Sequence, residues 1–188
     1  MNYLLLVRHS LPEKRLDVPP KEWDLSPVGR QRCERLAKQL RAYAPEVVIA
    51  SIERKAIQTG TIVAQNLGIL AAASAGLHEH ERDRAINGSS ENFERLLAQF
   101  FAQPSRLVLG CETAEQALQR FSDALRVVLA QNPAKNVVVV THGTVITLWA
   151  TALTGEEPFT FWKRLGMPAI VAFSRPHLKF LELIEHVE

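Results

Sequence analysis

The chain has 188 residues, 47% of them hydrophobic, which suffices for the core of one compact domain spanning 1–188. A formal net charge of +2, with no basic run interleaved with aromatics, excludes a nucleic-acid surface. Apolar runs far shorter than the roughly 20 residues of a membrane-spanning helix exclude a bilayer span. Cys33 and Cys111 stand far apart and outside any CxxC pattern, so neither a disulfide framework nor a zinc site is signalled. The first apolar run begins at once, without a basic leader, so a cytoplasmic protein with free thiols is expected.

Residues 2–8 (NYLLLVR) form a short apolar run expected to be a strand buried on both faces, followed by a polar, proline-containing loop. A helix is expected from Ser26, a good N-cap, with Pro27 at the first helical position, where its missing N–H is not needed. Leu36, Ala37, Leu40 and Ala44 make its apolar face. Residues 46–50 (EVVIA) read as a second strand, with Ser51 expected to cap a helix through about Leu67; 69–75 is a weaker strand. From His78 to Glu94 the chain turns charged, with Asn-Gly-Ser-Ser inside, an excursion over the surface. Helices near 91–102 and 112–131 precede the strongest strand, 136–141 (NVVVVT). A helix to about Leu153 and strands near 169–174 and 178–184 complete the chain. This alternation predicts an α/β fold, a three-layer α/β/α sandwich around a mostly parallel sheet.

In such sheets ligands sit beyond the carboxyl ends of the strands. Arg8 and His9 end the first strand, Ser51 and Arg54 follow the second, and His142 ends the strongest. Arg54 is notable because a cation in the first turn of a helix opposes the macrodipole. Arg forks and helix N-termini together make an anion trap that holds a phosphoryl group without a metal ion. An unprotonated imidazole there can attack phosphorus, and neighbouring Arg charges disfavour the imidazolium.

The segments LLLVRHS at 4–10, SIERKAIQT at 51–59, LHE at 77–79 and VVVVTHGT at 137–144 resemble the histidine phosphatase superfamily, the phosphoglycerate mutase-like family. LSPVGRQRC at 25–33 and GCET at 110–113 are similar to two further segments of that family, and all occur in its order. The resemblance implies that His9 is the nucleophile that becomes phosphohistidine, and that Arg8 and Arg54 bind phosphate. It further implies that His142 bonds the phosphoryl oxygens, and that Gly143 lets the backbone come close. Glu79 takes the place of the general acid, with Glu81 two residues on as the alternative. Ser10 stands where the family usually has Gly or Ala, and its hydroxyl is a candidate donor to phosphate.

Residues 80–111 form a modest insertion above the pocket, where Arg82 and Arg84 are candidates to reach a second acidic group on a substrate. No metal and no cofactor is implied. The expected activity is hydrolysis of a small phosphorylated metabolite, since the family's mutases tend to carry a larger cap. Mutase-type phosphoryl transfer and a phosphoprotein-directed or catalytically silent phosphate-binding module are the alternatives.

Overall fold

The computed structural model describes residues 2–82 and 90–187. Six strands form one sheet in the order β3-β2-β4-β1-β5-β6. They are β1 (Asn2–Arg8), β2 (Val47–Ser51), β3 (Leu70–Ser74), β4 (Val137–Thr141), β5 (Ala169–Arg175) and β6 (Phe180–Ile184). The first four are mutually parallel, while β5 runs antiparallel to β1 and β6 antiparallel to β5. Among the described residues, helices α1 (Pro27–Leu40), α2 (Arg54–Leu67), α3 (Ser90–Ala102), α4 (Ala114–Gln131), α5 (Gly143–Thr154) and α6 (Pro158–Arg164), with short 3-10 turns at Pro20–Glu22 and Arg41–Tyr43, account for the rest of the regular structure. The mostly parallel α/β sandwich expected from the sequence is the observed fold.

Alternation of side chains along β1 divides the core. Leu4 and Leu6 pack with Phe121, Leu125, Val145, Ile146 and Phe161 from α4, α5 and α6. Leu5 and Val7 face the other way, onto Cys33, Leu36, Leu40, Ala56 and Val63 from α1 and α2. β4 is buried at all five positions, which is why Val-Val-Val-Val reads as a continuous apolar run and not as an alternation. A third apolar cluster, around Leu97, Phe100, Ala117 and Leu148, seats α3 on α4 and α5.

Adjacent strands β1 and β4 send their following helices to opposite faces of the sheet, α1 to one and α5 to the other. That reversal opens a crevice at their carboxyl ends. Arg8 pairs in register with Thr141, so His9 and His142 emerge side by side.

Local signals hold at α1, where Ser26 Oγ accepts the Gly29 N–H at 3.0 Å and Pro27 opens the helix. They fail at α2, whose cap is Glu53, not Ser51. The Ser51 hydroxyl is engaged by His142 instead, and the helix starts three residues later. Helix α6 was not expected; it is seven residues long, opened by Pro158 and capped by Glu157, which accepts the Phe159 and Thr160 N–H groups. Among the described residues, no helix is long and apolar enough to cross a membrane.

Candidate active site

His9 leaves β1 with its N–H donating to the Thr141 carbonyl at 2.8 Å, which ties it to β4. Its Nδ1 lies 2.7 Å from the Ser10 carbonyl oxygen. A carbonyl only accepts, so Nδ1 carries the proton and Nε2 keeps its lone pair. Burial, followed by the proximity of His142, Lys55 and Arg8, holds the imidazole well below its ordinary pKa. His9 is therefore a neutral, oriented imidazole at physiological pH.

Ser10 is fully buried, and its hydroxyl donates to the Gly29 carbonyl at 2.7 Å. Its N–H donates to Thr59 Oγ1 at 3.0 Å. With its one hydroxyl proton spent on α1, Ser10 is not the phosphate donor that its position suggested; it fixes the backbone that orients His9.

The second cation differs from the sequence expectation. Arg54 faces solvent, where Asp24 holds its guanidinium with two hydrogen bonds of 3.0 Å. Lys55, one residue later, turns inward; it is 5% exposed and lowers the basicity of both His9 and His142. The periodicity of α2 explains the exchange. Lys55, Thr59 and Val63 lie on the face packed against the sheet, with Ala56, Gly60 and Ala64 beside them. Arg54 falls on the polar face with Gln58, which also bonds Asp24.

Glu53, which sequence reasoning passed over, is 9% exposed beside these groups. Its Oε2 pairs with Lys55 Nζ, which also donates to the Pro20 carbonyl at 2.8 Å. Its Oε1 accepts the Glu79 N–H at 2.9 Å and lies 3.5 Å from His142 Nε2. Burial works to raise the Glu53 carboxyl, but the Lys55 charge and hydrogen bond hold it below the usual range.

His142 is fully buried at the end of β4, with Nε2 2.8 Å from Ser51 Oγ and Nδ1 without a hydrogen-bond partner. Burial and the Lys55 charge outweigh the opposite pull of Glu79 and keep it neutral. Arg8 is half-buried; its Nη1 donates to the Leu165 carbonyl, its Nε is buried without a partner, and desolvation brings its pKa down to about 10. Its guanidinium carbon stands 5.7 Å from the ring centre of Trp162. A Cβ on Gly143 would lie 3.0 Å from Arg8 Nε and 3.3 Å from Trp162 Nε1. Gly143 thus makes room for the Arg8 side chain at the N-terminus of α5.

Of the two carboxylates after β3, Glu79 is at the site. Its Oε1 accepts the His80 N–H at 3.0 Å and its Oε2 the Thr144 N–H at 3.3 Å, and Arg82 Nη2 is 3.9 Å away. Burial would raise its pKa, but His142, Arg82 and the His80 N–H together hold it below the usual carboxylate range. Glu81 points outward and pairs with His78 at 3.2 Å. Arg82 extends over the Phe93 ring at 5.1 Å, next to the Phe93, Trp162 and Phe159 rings. Arg84 lies outside the described residues. Among the described residues no group of three or more His, Cys, Asp or Glu is arranged to hold a metal ion.

Solved structures share this architecture. A phosphoserine phosphatase from Entamoeba histolytica, crystallised with phosphoserine, superposes with a TM-score of 0.75 at 20% identity, over 98% of this chain and 97% of that one. A mycobacterial glucosyl-3-phosphoglycerate phosphatase gives 0.73 at 18%, over 97% and 96%. Bacillus stearothermophilus YhfR gives 0.76 at 20%, over 96% and 95%. No curated protein matches the chain in sequence. The family model of the histidine phosphatase superfamily, branch 1, matches residues 4–175. By that match over nearly its whole length the chain belongs to the histidine phosphatase superfamily and is a phosphatase of phosphate monoesters.

Proposed function

We propose that this phosphatase hydrolyses a small phosphorylated metabolite through a phosphohistidine on His9, with no metal ion. The observation that carries the reading is the His9 ring, with Nδ1 fixed by the Ser10 carbonyl and the imidazole held neutral beside Arg8, Lys55 and His142. Nε2 attacks phosphorus, and the P–O bond to the leaving oxygen breaks. Arg8, Lys55 and the unpartnered His142 Nδ1 offset the charge on the phosphoryl oxygens beside the buried His9. Glu79, protonated by the substrate's monoanion as it binds, gives that proton to the leaving oxygen and then takes one from the water that attacks phosphohistidine.

Arg82 beside Glu79 suits a leaving group that carries its own acid. The complexes of the Entamoeba phosphatase with phosphoserine and with 3-phosphoglyceric acid support a small acidic metabolite for this chain. The decisive experiment is a panel of phosphorylated metabolites assayed for phosphate release and for isomerisation, with and without a chelator. Phosphate release unaffected by chelation is expected. Isomerisation without release, or activity that returns only with added divalent ion, would overturn the reading.

A further inference from the structure

The inner face of the site holds an unusual pairing for a phosphate pocket, a carboxylate seated on one of its cations. Glu53 and Lys55 are both buried and joined directly, and Glu53 reaches toward His142 and the Glu79 backbone as well. The charged groups around it come from every neighbouring element. They are Arg8 and the neutral His9 at the end of β1, Lys55 on α2, Glu79 and Arg82 after β3 with the imidazole of His78 beside them, and the neutral His142 at the end of β4. Three cations against two carboxylates leave one net positive charge, one short of a phosphoryl dianion.

We propose that Glu53 couples anion binding to proton uptake: as a phosphoryl dianion engages Lys55, one proton enters from solvent and is shared within the Glu53–His142 pair. This rests on the reading of the site given above. An anion on Lys55 weakens the contact that keeps Glu53 ionised, and burial then favours its neutral form. Glu79 keeps its two backbone N–H donors and Arg82, so it is the poorer acceptor. Because Glu53 and His142 Nε2 are 3.5 Å apart, the proton belongs to the pair, not to either residue. One added proton removes the shortage in either microstate. The site therefore favours phosphoryl groups at mildly acidic pH and releases product phosphate more readily as pH rises.

The test is sulfate binding by calorimetry from about pH 5.5 to about pH 8.5, since sulfate keeps both its charges throughout and any proton must reach the protein. The full-length wild type is expected to lose affinity with rising pH, by up to about tenfold per unit, with one proton taken up in buffers of different ionisation enthalpy. Glu53→Gln, which keeps the shape, is expected to flatten that slope and to bind sulfate about tenfold or more tightly at the alkaline end. Glu53→Asp is expected to retain the slope, which a merely structural role would not require. A wild type that hydrolyses an aryl phosphate, with a Glu53→Gln variant that keeps the full slope and unchanged affinity, overturns this inference alone. A wild type that neither binds sulfate nor releases phosphate overturns the site reading with it.

Discussion

The rings of His9 and His142 meet edge to face with centroids 5.1 Å apart, each at the end of a central parallel strand and both held neutral by burial. Neither gains a proton in the folded state until pH falls well below its ordinary value, whereas the unfolded chain protonates both near pH 6.5. Below that pH the unfolded state binds more protons, so stability is complete above about pH 6.5 and is lost as pH falls. Lowering the pH from about 6.5 to about 5 is expected to lower stability, with both rings contributing to the loss. Urea unfolding at several pH values measures this, and His9→Gln should lessen the loss. An urea midpoint constant from pH 7 to pH 5 contradicts it.

Lys55, not Arg54, is expected to carry the charge that phosphoryl transfer needs. Lys55→Met should lower kcat/KM on an aryl phosphate by about 10²-fold, the usual scale for losing one preorganised electrostatic contact in a dry site. Arg54→Ala removes an exposed pair with Asp24 and should change kcat/KM by less than about threefold. Equal losses in the two variants would return Arg54 to the site.

The strands were legible because each is an apolar or β-branched run, and the order of the fold followed from their alternation with helices. The ends of β1 and β4 therefore pointed directly to Arg8, His9 and His142. Lys55 was open to the same reasoning: i, i+4 spacing with Thr59 and Val63 marks it as inward, and the conspicuous Arg54 drew attention away from that face. Glu53 was not legible. An acidic residue at a helix start is what the macrodipole favours on any surface, and only the approach of Glu79 and His142 from other elements reveals that it is buried. The contacts of Ser10 and Gly143 were not legible either, because they depend on Gly29, Arg8 and Trp162, which are distant in sequence.

Gly29 links α1 to the nucleophile loop. A Cβ there would stand 2.1 Å from the Leu11 carbonyl oxygen, a contact that only a shift of the 10–12 backbone relieves. The Gly29 carbonyl also accepts the Ser10 hydroxyl, whose own carbonyl orients His9. Gly29→Ala is expected to cost about 1–3 kcal/mol in urea unfolding despite the better helix propensity of Ala. It should also lower kcat more than KM on an aryl phosphate, because the ring is displaced while Arg8 and Lys55 remain. A variant as stable and active as wild type would show that the loop yields without cost.

The last prediction separates the two carboxylates after β3. Cleaving an alkyl phosphate requires a proton at the bridging oxygen, whereas an aryl leaving group of low pKa departs without one. Glu79→Gln is expected to slow an alkyl phosphate by about 10²-fold or more, and an activated aryl phosphate far less in its first step. Since Glu79 is held ionised in the free protein, the proton it passes to the leaving oxygen arrives with the substrate's monoanion, so wild-type kcat/KM on alkyl phosphates should fall as pH rises. In Glu79→Gln that fall should be weaker. On the proposed path the carboxylate also serves water attack on phosphohistidine, so with an aryl phosphate the variant should show a fast first release followed by slow turnover. Glu81→Gln breaks only an exposed contact with His78 and should match wild type on both substrates. Stopped-flow release of aryl alcohol, with steady-state phosphate release from an alkyl ester, measures both effects. A selective alkyl-phosphate loss in Glu81→Gln with none in Glu79→Gln assigns the acid to Glu81 and overturns the proton path described above.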